Sequence, residues 1–279
     1  MKSKWNLEWL KLQEDETDQH SSAYYSRQVK GFYHLATEGV ELMIQGVGYL
    51  KEPDGLDANR EYPNFKVAIR HTSAYHYHTI PYTFKAAFDL WRFGYYTESS
   101  ILLRTVVEKY VKLRYLNKQK SVDLIKLSSA GHLGINGEKF SQKHKYRTMF
   151  DVVAPKLYKD YQYLCELSHG TNIPYLLKTN FLDIGIDAIN SLHIDTGVSF
   201  NEKLSQMIVN PYCIYMLSHL EFMVRIFPEI KINMETEFST KLHNTLDWLW
   251  KGVQEDPKFT KEQNEWRRGA IQLAKIDDD

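Results

Sequence analysis

The sequence predicts an all-α protein, a multi-helix bundle, and three observations carry that expectation. Apolar residues recur at helical spacing along most of the 279 residues. Gly94, Pro155, Gly170 and Pro228 stand where such runs begin or end. Only two short segments, 181–186 and 230–234, have the look of strands.

The elements follow in order. Over 20–50 the apolar positions Tyr24, Tyr25, Val29, Phe32, Tyr33, Leu35, Val40, Leu42 and Met43 keep a helical period, and Pro53-Asp54-Gly55 then marks a turn. An irregular segment is expected from there to about Pro81. Helices over 82–93 and 97–118 are separated by Gly94. The polar stretch 119–142, with Gly131, Gly134 and Gly137, reads as a loop holding one short helical turn, Val122 to Leu127. A helical stretch over 143–169 is broken at Pro155, which suits the first position of a new helix, and Gly170 offers a left-handed cap just after His169. Asn210-Pro211 reads as the N-cap and first turn of an apolar helix over 211–227, stopped by Pro228. Two further helices, 238–253 and 259–274, precede the acidic end Asp277-Asp278-Asp279. The chain divides on this reading into an N-terminal helical extension with an irregular segment (1–80), a helical core domain (81–230) and C-terminal helices packed on it (231–279).

Composition excludes several classes. Apolar residues make up 43% of the chain, ample for a continuous core. Lys+Arg and Asp+Glu are both 35, so no global positive field draws the chain to nucleic acid or an anionic membrane, and any such binding must be local. Cys165 and Cys213 have neither disulfide-framework nor zinc-ribbon spacing. No apolar leader opens the sequence, and the apolar run from Tyr212 to Phe227 carries Ser218, His219, Glu221 and Arg225 at a length marginal for a membrane span. A cytoplasmic protein without cofactor, metal or membrane attachment is the expectation. No phosphate-binding loop, dinucleotide fingerprint, His-Glu-x-x-His or kinase signature occurs, which disfavours nucleotide-driven and hydride-transfer chemistry.

The most informative segment is Leu102-Leu103-Arg104-Thr105-Val106-Val107-Glu108-Lys109-Tyr110-Val111, followed about sixty residues later by Leu164-Cys165-Glu166-Leu167-Ser168-His169-Gly170. At about 100° per residue, Leu103, Val106, Val107, Tyr110 and Val111 form one apolar arc, with Arg104 and Glu108 beside it. Ile101 and Leu116 lie opposite, so this helix is expected to pack on more than one neighbour. Three roles fit the pair: an exposed i,i+4 contact, a buried structural network, or a functional site. His169, in a last helical turn, fits either a capping role or a general acid or phosphate ligand favoured by the helix dipole. Ser168 lacks the Gly-x-Ser-x-Gly elbow of a hydrolase nucleophile.

The run 102–116, with Tyr161 to Gly170 downstream, resembles a family of bacterial all-helical proteins in which an Arg-x-x-x-Glu helix precedes a Tyr, Leu-Ser and His segment. It is also distantly similar to the HEPN superfamily of abortive-infection and toxin–antitoxin systems, over residues 82–227. That resemblance implies a HEPN-like core with extra N- and C-terminal helices, working as a homodimer. It further implies a metal-independent endoribonuclease acting on RNA, with Arg and His on one helix activating the ribose 2′-hydroxyl and stabilising phosphorane-like charge. Arg27 to His34 and Arg70 to His76 fit the Arg-to-His spacing, and Arg104, Glu108 and His169 drawn together across helices form another candidate site. The alternative is a non-catalytic helical module that binds a protein partner, for instance one from the same defence system, or a small ligand.

Two local clusters complete the reading. His71, His76 and His78 are interleaved with Tyr75, Tyr77 and Tyr82, as a metal edge or as an aromatic loop packed on a core. Lys139, Lys143, His144, Lys145 and Arg147 form the densest basic run. With Lys109, Lys112, Arg114, Lys118 and Lys120 they make either a phosphate-tracking patch or a solvated loop, the nucleic-acid contacts being assigned to Lys139, Lys143, Lys145 and Arg147.

Overall fold

The computed structural model describes residues 7–28, 32–50, 59–132, 140, 144–169 and 202–233. Of these, 87% are helical and none lies in a strand, which establishes the all-α class. In chain order the helices are α1 (Leu7–Gln28), α2 (Phe32–Gly48), α3 (Phe65–Tyr77), α4 (Ile80–Arg92), α5 (Tyr96–Gln119), α6 (Val122–His132), α7 (Tyr146–Val153), a 3₁₀ turn (Pro155–Leu157), α8 (Tyr158–His169), α9 (Glu202–Ile226) and α10 (Pro228–Asn233).

Helix α5 is the axis of the bundle. Leu103, Val106, Val107, Val111, Leu113 and Leu116 are fully buried along it, and it packs against α3, α4, α6, α7, α8 and α9. The expectation of several neighbours holds, although Ile101 itself is exposed. Gly94, at φ 85°, turns the chain between α4 and α5 in a conformation that a side chain disfavours. Lys120 closes α5 in the same left-handed region, a C-cap position more often taken by glycine. Pro155 opens the short 3₁₀ turn between α7 and α8, as its fixed φ favours.

Four expectations are corrected. The segment before Pro81 is not irregular throughout: α3 forms there, with the Asn64 side chain accepting from the Val67 N–H at 3.0 Å as its N-cap. Asn210-Pro211 does not start a helix, because α9 begins at Glu202 and runs through Pro211. Buried Ser205, Ile208 and Val209 extend its core face upstream, and that packing outweighs the proline's missing N–H. Ile230 to Asn233 belong to α10 rather than a strand, with Ile230 wholly buried. The turn expected at Val122 to Leu127 is a longer helix, α6. The segments 181–186, 238–253 and 259–274 and the cap Gly170 lie outside the described residues.

One hydrophobic cluster joins Ala36, Leu42 and Met43 of α2, Ala68 and Ile69 of α3, and Ile230 of α10, so the core continues across position 80. Helix α1 touches α2 and α4, and polar contacts anchor it: Arg92 grips Asp18 at 2.9 and 2.6 Å, and the Tyr95 hydroxyl donates to Glu14 at 2.7 Å. No helix among the described residues is long and apolar enough to cross a membrane.

Helices α2 and α9 approach closely through Gly39 and Gly46, seven residues apart and therefore on one face. A Cβ at Gly39 would lie 2.0 Å from Met216 Sδ, and one at Gly46 would lie 2.5 Å from Met223 Cε. Gly39→Val is expected to destabilise the protein by about 1–3 kcal/mol through overpacking. Gly48→Ala meets nothing within 4 Å and should stabilise by roughly 0.5 kcal/mol. Urea denaturation of the two variants beside the parent measures the contrast, and equal midpoints would contradict the close approach.

Candidate functional site

The apolar arc of α5 turns Arg104 and Glu108 toward α8, where Tyr161 and Ser168 meet them. Arg104 Nε donates to Glu108 Oε1 at 2.9 Å, and Arg104 Nη1 donates to Ser168 Oγ at 3.1 Å. The Tyr161 hydroxyl donates to the same Glu108 oxygen at 2.9 Å, and the Tyr146 ring stands beside that of Tyr161. Cys165 stands one turn after Tyr161 on α8. The Arg104 and Glu108 side chains are 29% and 20% exposed, so the pair is half-buried and neither sealed in the core nor a freely solvated surface contact.

The electrostatics follow from this placement. Burial disfavours the Arg104 cation, but the hydrogen bond and charge of Glu108 more than offset it and the pKa moves up. Burial first, and then the Glu108 charge, push the Tyr161 and Tyr146 phenols well above their ordinary values, so both remain protonated donors. Burial also raises the Cys165 thiol, against the opposing influence of nearby Tyr161 and the Arg104 charge. Ser168 donates to the Cys165 carbonyl at 3.0 Å and accepts from Arg104. Its proton is directed at the backbone of its own helix, consistent with a positioning hydroxyl rather than a nucleophile. A ring ladder backs the site, with Tyr161 centroids 5.8 Å from Tyr146 and 5.0 Å from Phe150.

The structure therefore brings together Arg104, Glu108 and the Ser168 end of α8, whose last residue is His169. It does not bring Arg70 and His76 together. Six residues apart on α3, they point about 120° away from one another. Arg70 donates to the Ile226 carbonyl at 3.0 Å, pairs with Glu229 and lies 5.0 Å from the Phe227 ring. His76 is 3% exposed. Arg27 and His34 fall on separate helices, α1 and α2.

The histidine cluster is also rearranged by helicity. His71 sits between Arg60, 2.8 Å away at Nε2, and the Tyr62 hydroxyl, 3.0 Å away at Nδ1. A guanidinium only donates, so Nε2 accepts and the ring proton is on Nδ1. His76 lies in α3 and His78 is its C-cap in the helical conformation, so the two do not alternate as strand neighbours, and among the described residues no group of three or more His, Cys, Asp or Glu is placed to hold a metal.

Of the basic run, Lys139 and Lys143 lie outside the described residues. Lys145 and Arg147 are exposed at the start of α7, Arg147 lying 6.0 Å from the Tyr158 ring centre. The α5 cations scatter rather than form one track: Lys109 bonds Thr79 Oγ1 at 2.9 Å, and Lys118 bonds the Val152 carbonyl at 2.9 Å. Lys112 lies 5.2 Å from the Phe140 ring, and burial lowers its ammonium pKa to about 8.

Sequence reading missed Tyr146 and Cys165 as members of the site. Helical spacing from Ser168 back through Cys165 to Tyr161 was the available signal for α8. Nothing in the spacing pointed to Tyr146, whose ring meets that of Tyr161 from another helix. Comparison with protein-family models, curated proteins and solved structures finds no match, so the chemistry of this site rests on its geometry.

Proposed function

We propose that this chain is a metal-independent, HEPN-like endoribonuclease of the bacterial defence or toxin type, with Arg104, Glu108 and His169 as its site. The observation that carries the reading is the Arg104 to Ser168 hydrogen bond at 3.1 Å. It ties the Arg-x-x-x-Glu helix to the end of α8, one residue before His169, across sixty-four positions of sequence. In this mechanism His169 removes the proton from a ribose 2′-hydroxyl, whose oxygen attacks the adjacent phosphorus. The P–O5′ bond breaks, the 5′-oxygen takes up a proton, and a 2′,3′-cyclic phosphate remains. Arg104 stabilises the charge that develops on the non-bridging oxygens, and Glu108 orients Arg104. The cytoplasm is the proposed compartment, and a homodimer the proposed assembly, in which a second copy supplies a second site.

A direct test is cleavage of total RNA by the purified protein in EDTA. Arg104→Ala and His169→Ala, each shown to fold, are expected to lower the rate at least about 100-fold. Unchanged cleavage in either variant would remove that residue from the mechanism. Absence of cleavage by the parent protein would favour a second reading, a binding module for a protein partner or small ligand. The observation behind that alternative is that Glu108 Oε1 already accepts from both Arg104 and Tyr161, as a structural network does.

A further inference from the structure

We infer that Arg147 and Tyr158 form a platform for single-stranded RNA, on which a base stacks against the phenol ring and its phosphate meets the guanidinium, in line with the Arg104 and His169 end of α8. This deepens the ribonuclease reading and rests on it for the class of ligand.

Arg147 stands apart in its contacts. Arg60, Arg70, Arg92, Arg104, Arg114 and Arg225 each donate hydrogen bonds within the protein. The Arg147 side chain is exposed, and its contact is with the Tyr158 ring, whose centre lies 6.0 Å from the guanidinium carbon. Asp151, four residues on in α7 and also exposed, makes no ion pair with it. A guanidinium without a carboxylate keeps its donors for another anion, and its plane beside an aromatic ring suits a base and a phosphate together. Lys145, exposed at the N-cap of α7, adds a second cation at the positive end of that helix. The Tyr158 ring is held 5.5 Å from Phe150 and 6.2 Å from Tyr161, yet it remains partly exposed.

Helical register sets the direction of the strand. Tyr158, Gln162, Cys165 and position 169 follow one another by four, three and four residues, which makes one stripe along α8. Gln162 is exposed and Cys165 partly so, and Ser168, the partner of Arg104, borders the stripe. From Tyr158 to the last residue of α8 is about 16 Å, which a stacked strand covers in about five nucleotides. A second cation and ring, Lys159 and Tyr163 at 5.8 Å, share this helix but lie about 100–140° around it, off the stripe. They provide the control.

The experiment uses the full chain and a fluorescent oligoadenylate of eight nucleotides whose 2′-O-methyl riboses lack the attacking hydroxyl. Binding is followed by anisotropy over a series of salt concentrations, on variants with an unchanged circular dichroism spectrum. Arg147→Ala is expected to weaken binding about tenfold and to lower the salt slope by about 0.7, the share of one phosphate contact on a single strand. Tyr158→Ala is expected to weaken it at least about fivefold, and Tyr158→Phe, which keeps the ring, less than about twofold. Lys159→Ala removes the same charge from the other face and should stay within about twofold of the parent. Arg147→Ala, at an exposed position, decides the matter even if Tyr158→Ala does not fold. Parent-like binding by Arg147→Ala would overturn the inference. So would an equal loss in Lys159→Ala, the mark of diffuse attraction to any cation, or absence of binding by the parent. In each of those cases cleavage of total RNA in EDTA would leave the ribonuclease reading standing. Binding with the expected dependence, but without cleavage of unmodified RNA, would remove the ribonuclease reading and keep the platform.

Discussion

Acidification from about pH 7 to about pH 4.5 is expected to cost the folded protein about 2–3 kcal/mol through a single side chain, His219. This imidazole is 0% exposed, enclosed by the rings of Tyr77, Phe84 and Tyr110 at 5.8, 5.7 and 5.1 Å. Its Nε2 lies 3.1 Å from the Val106 carbonyl, which only accepts, so the ring proton is there. The Nδ1 lone pair then has no donor among the described residues. Burial lowers the folded pKa to about 3, with the Val106 bond opposing and the Lys109 charge reinforcing that shift. The unfolded imidazole takes its proton near 6.5, so between those two values the unfolded chain binds more protons and stability falls as pH falls. His219→Leu removes the titrating group together with its unmatched acceptor. It should leave stability near pH 7 intact or improved, and it should flatten the acid limb. Urea midpoints of parent and variant at several pH values measure this. Parallel loss of stability in both over that window would show that another group is responsible.

Trp91→Ala is expected to be the most damaging single truncation in the core, at about 3–5 kcal/mol. Trp91 is 1% exposed, stacked on Phe88 at 5.7 Å with ring planes 22° apart. Its Nε1 donates to Ser205 Oγ at 3.0 Å, a buried bond spanning 114 positions that ties α4 to the beginning of α9. Area and hydrogen bond separate in a double-mutant cycle of Trp91→Phe with Ser205→Ala. The coupling is expected at about 1 kcal/mol, the net worth of a typical buried bond. A coupling near zero would mean that packing alone fixes this end of α9. A cost of Trp91→Ala below about 1 kcal/mol would contradict the burial itself.

The α4–Gly94–α5 hairpin and the break at Pro155 were read correctly because each depends on local backbone chemistry. The i,i+4 relation of Arg104 to Glu108 was legible for the same reason, being a consequence of helical pitch. Helix α3 was missed because its buried Thr72, Ser73 and His76 look polar in sequence, yet its helix places them inside. The early start of α9 was missed because proline chemistry favoured a boundary at Pro211, and the local signal lost to the packing of Ile208 and Val209.

What the sequence by itself determined is therefore the helical class, the principal breaks and the polar pair on the central helix, all properties of residues within a few positions of one another. What only the tertiary structure decided is the company that pair keeps. Tyr161 and Ser168 reach it from fifty-three and sixty-four positions away, and His219 becomes a buried neutral imidazole only once α3, α4 and α5 enclose it. Periodicity records which face of a helix avoids water. It carries no record of which other helix will cover that face, because packing responds to shape and volume summed over the whole core.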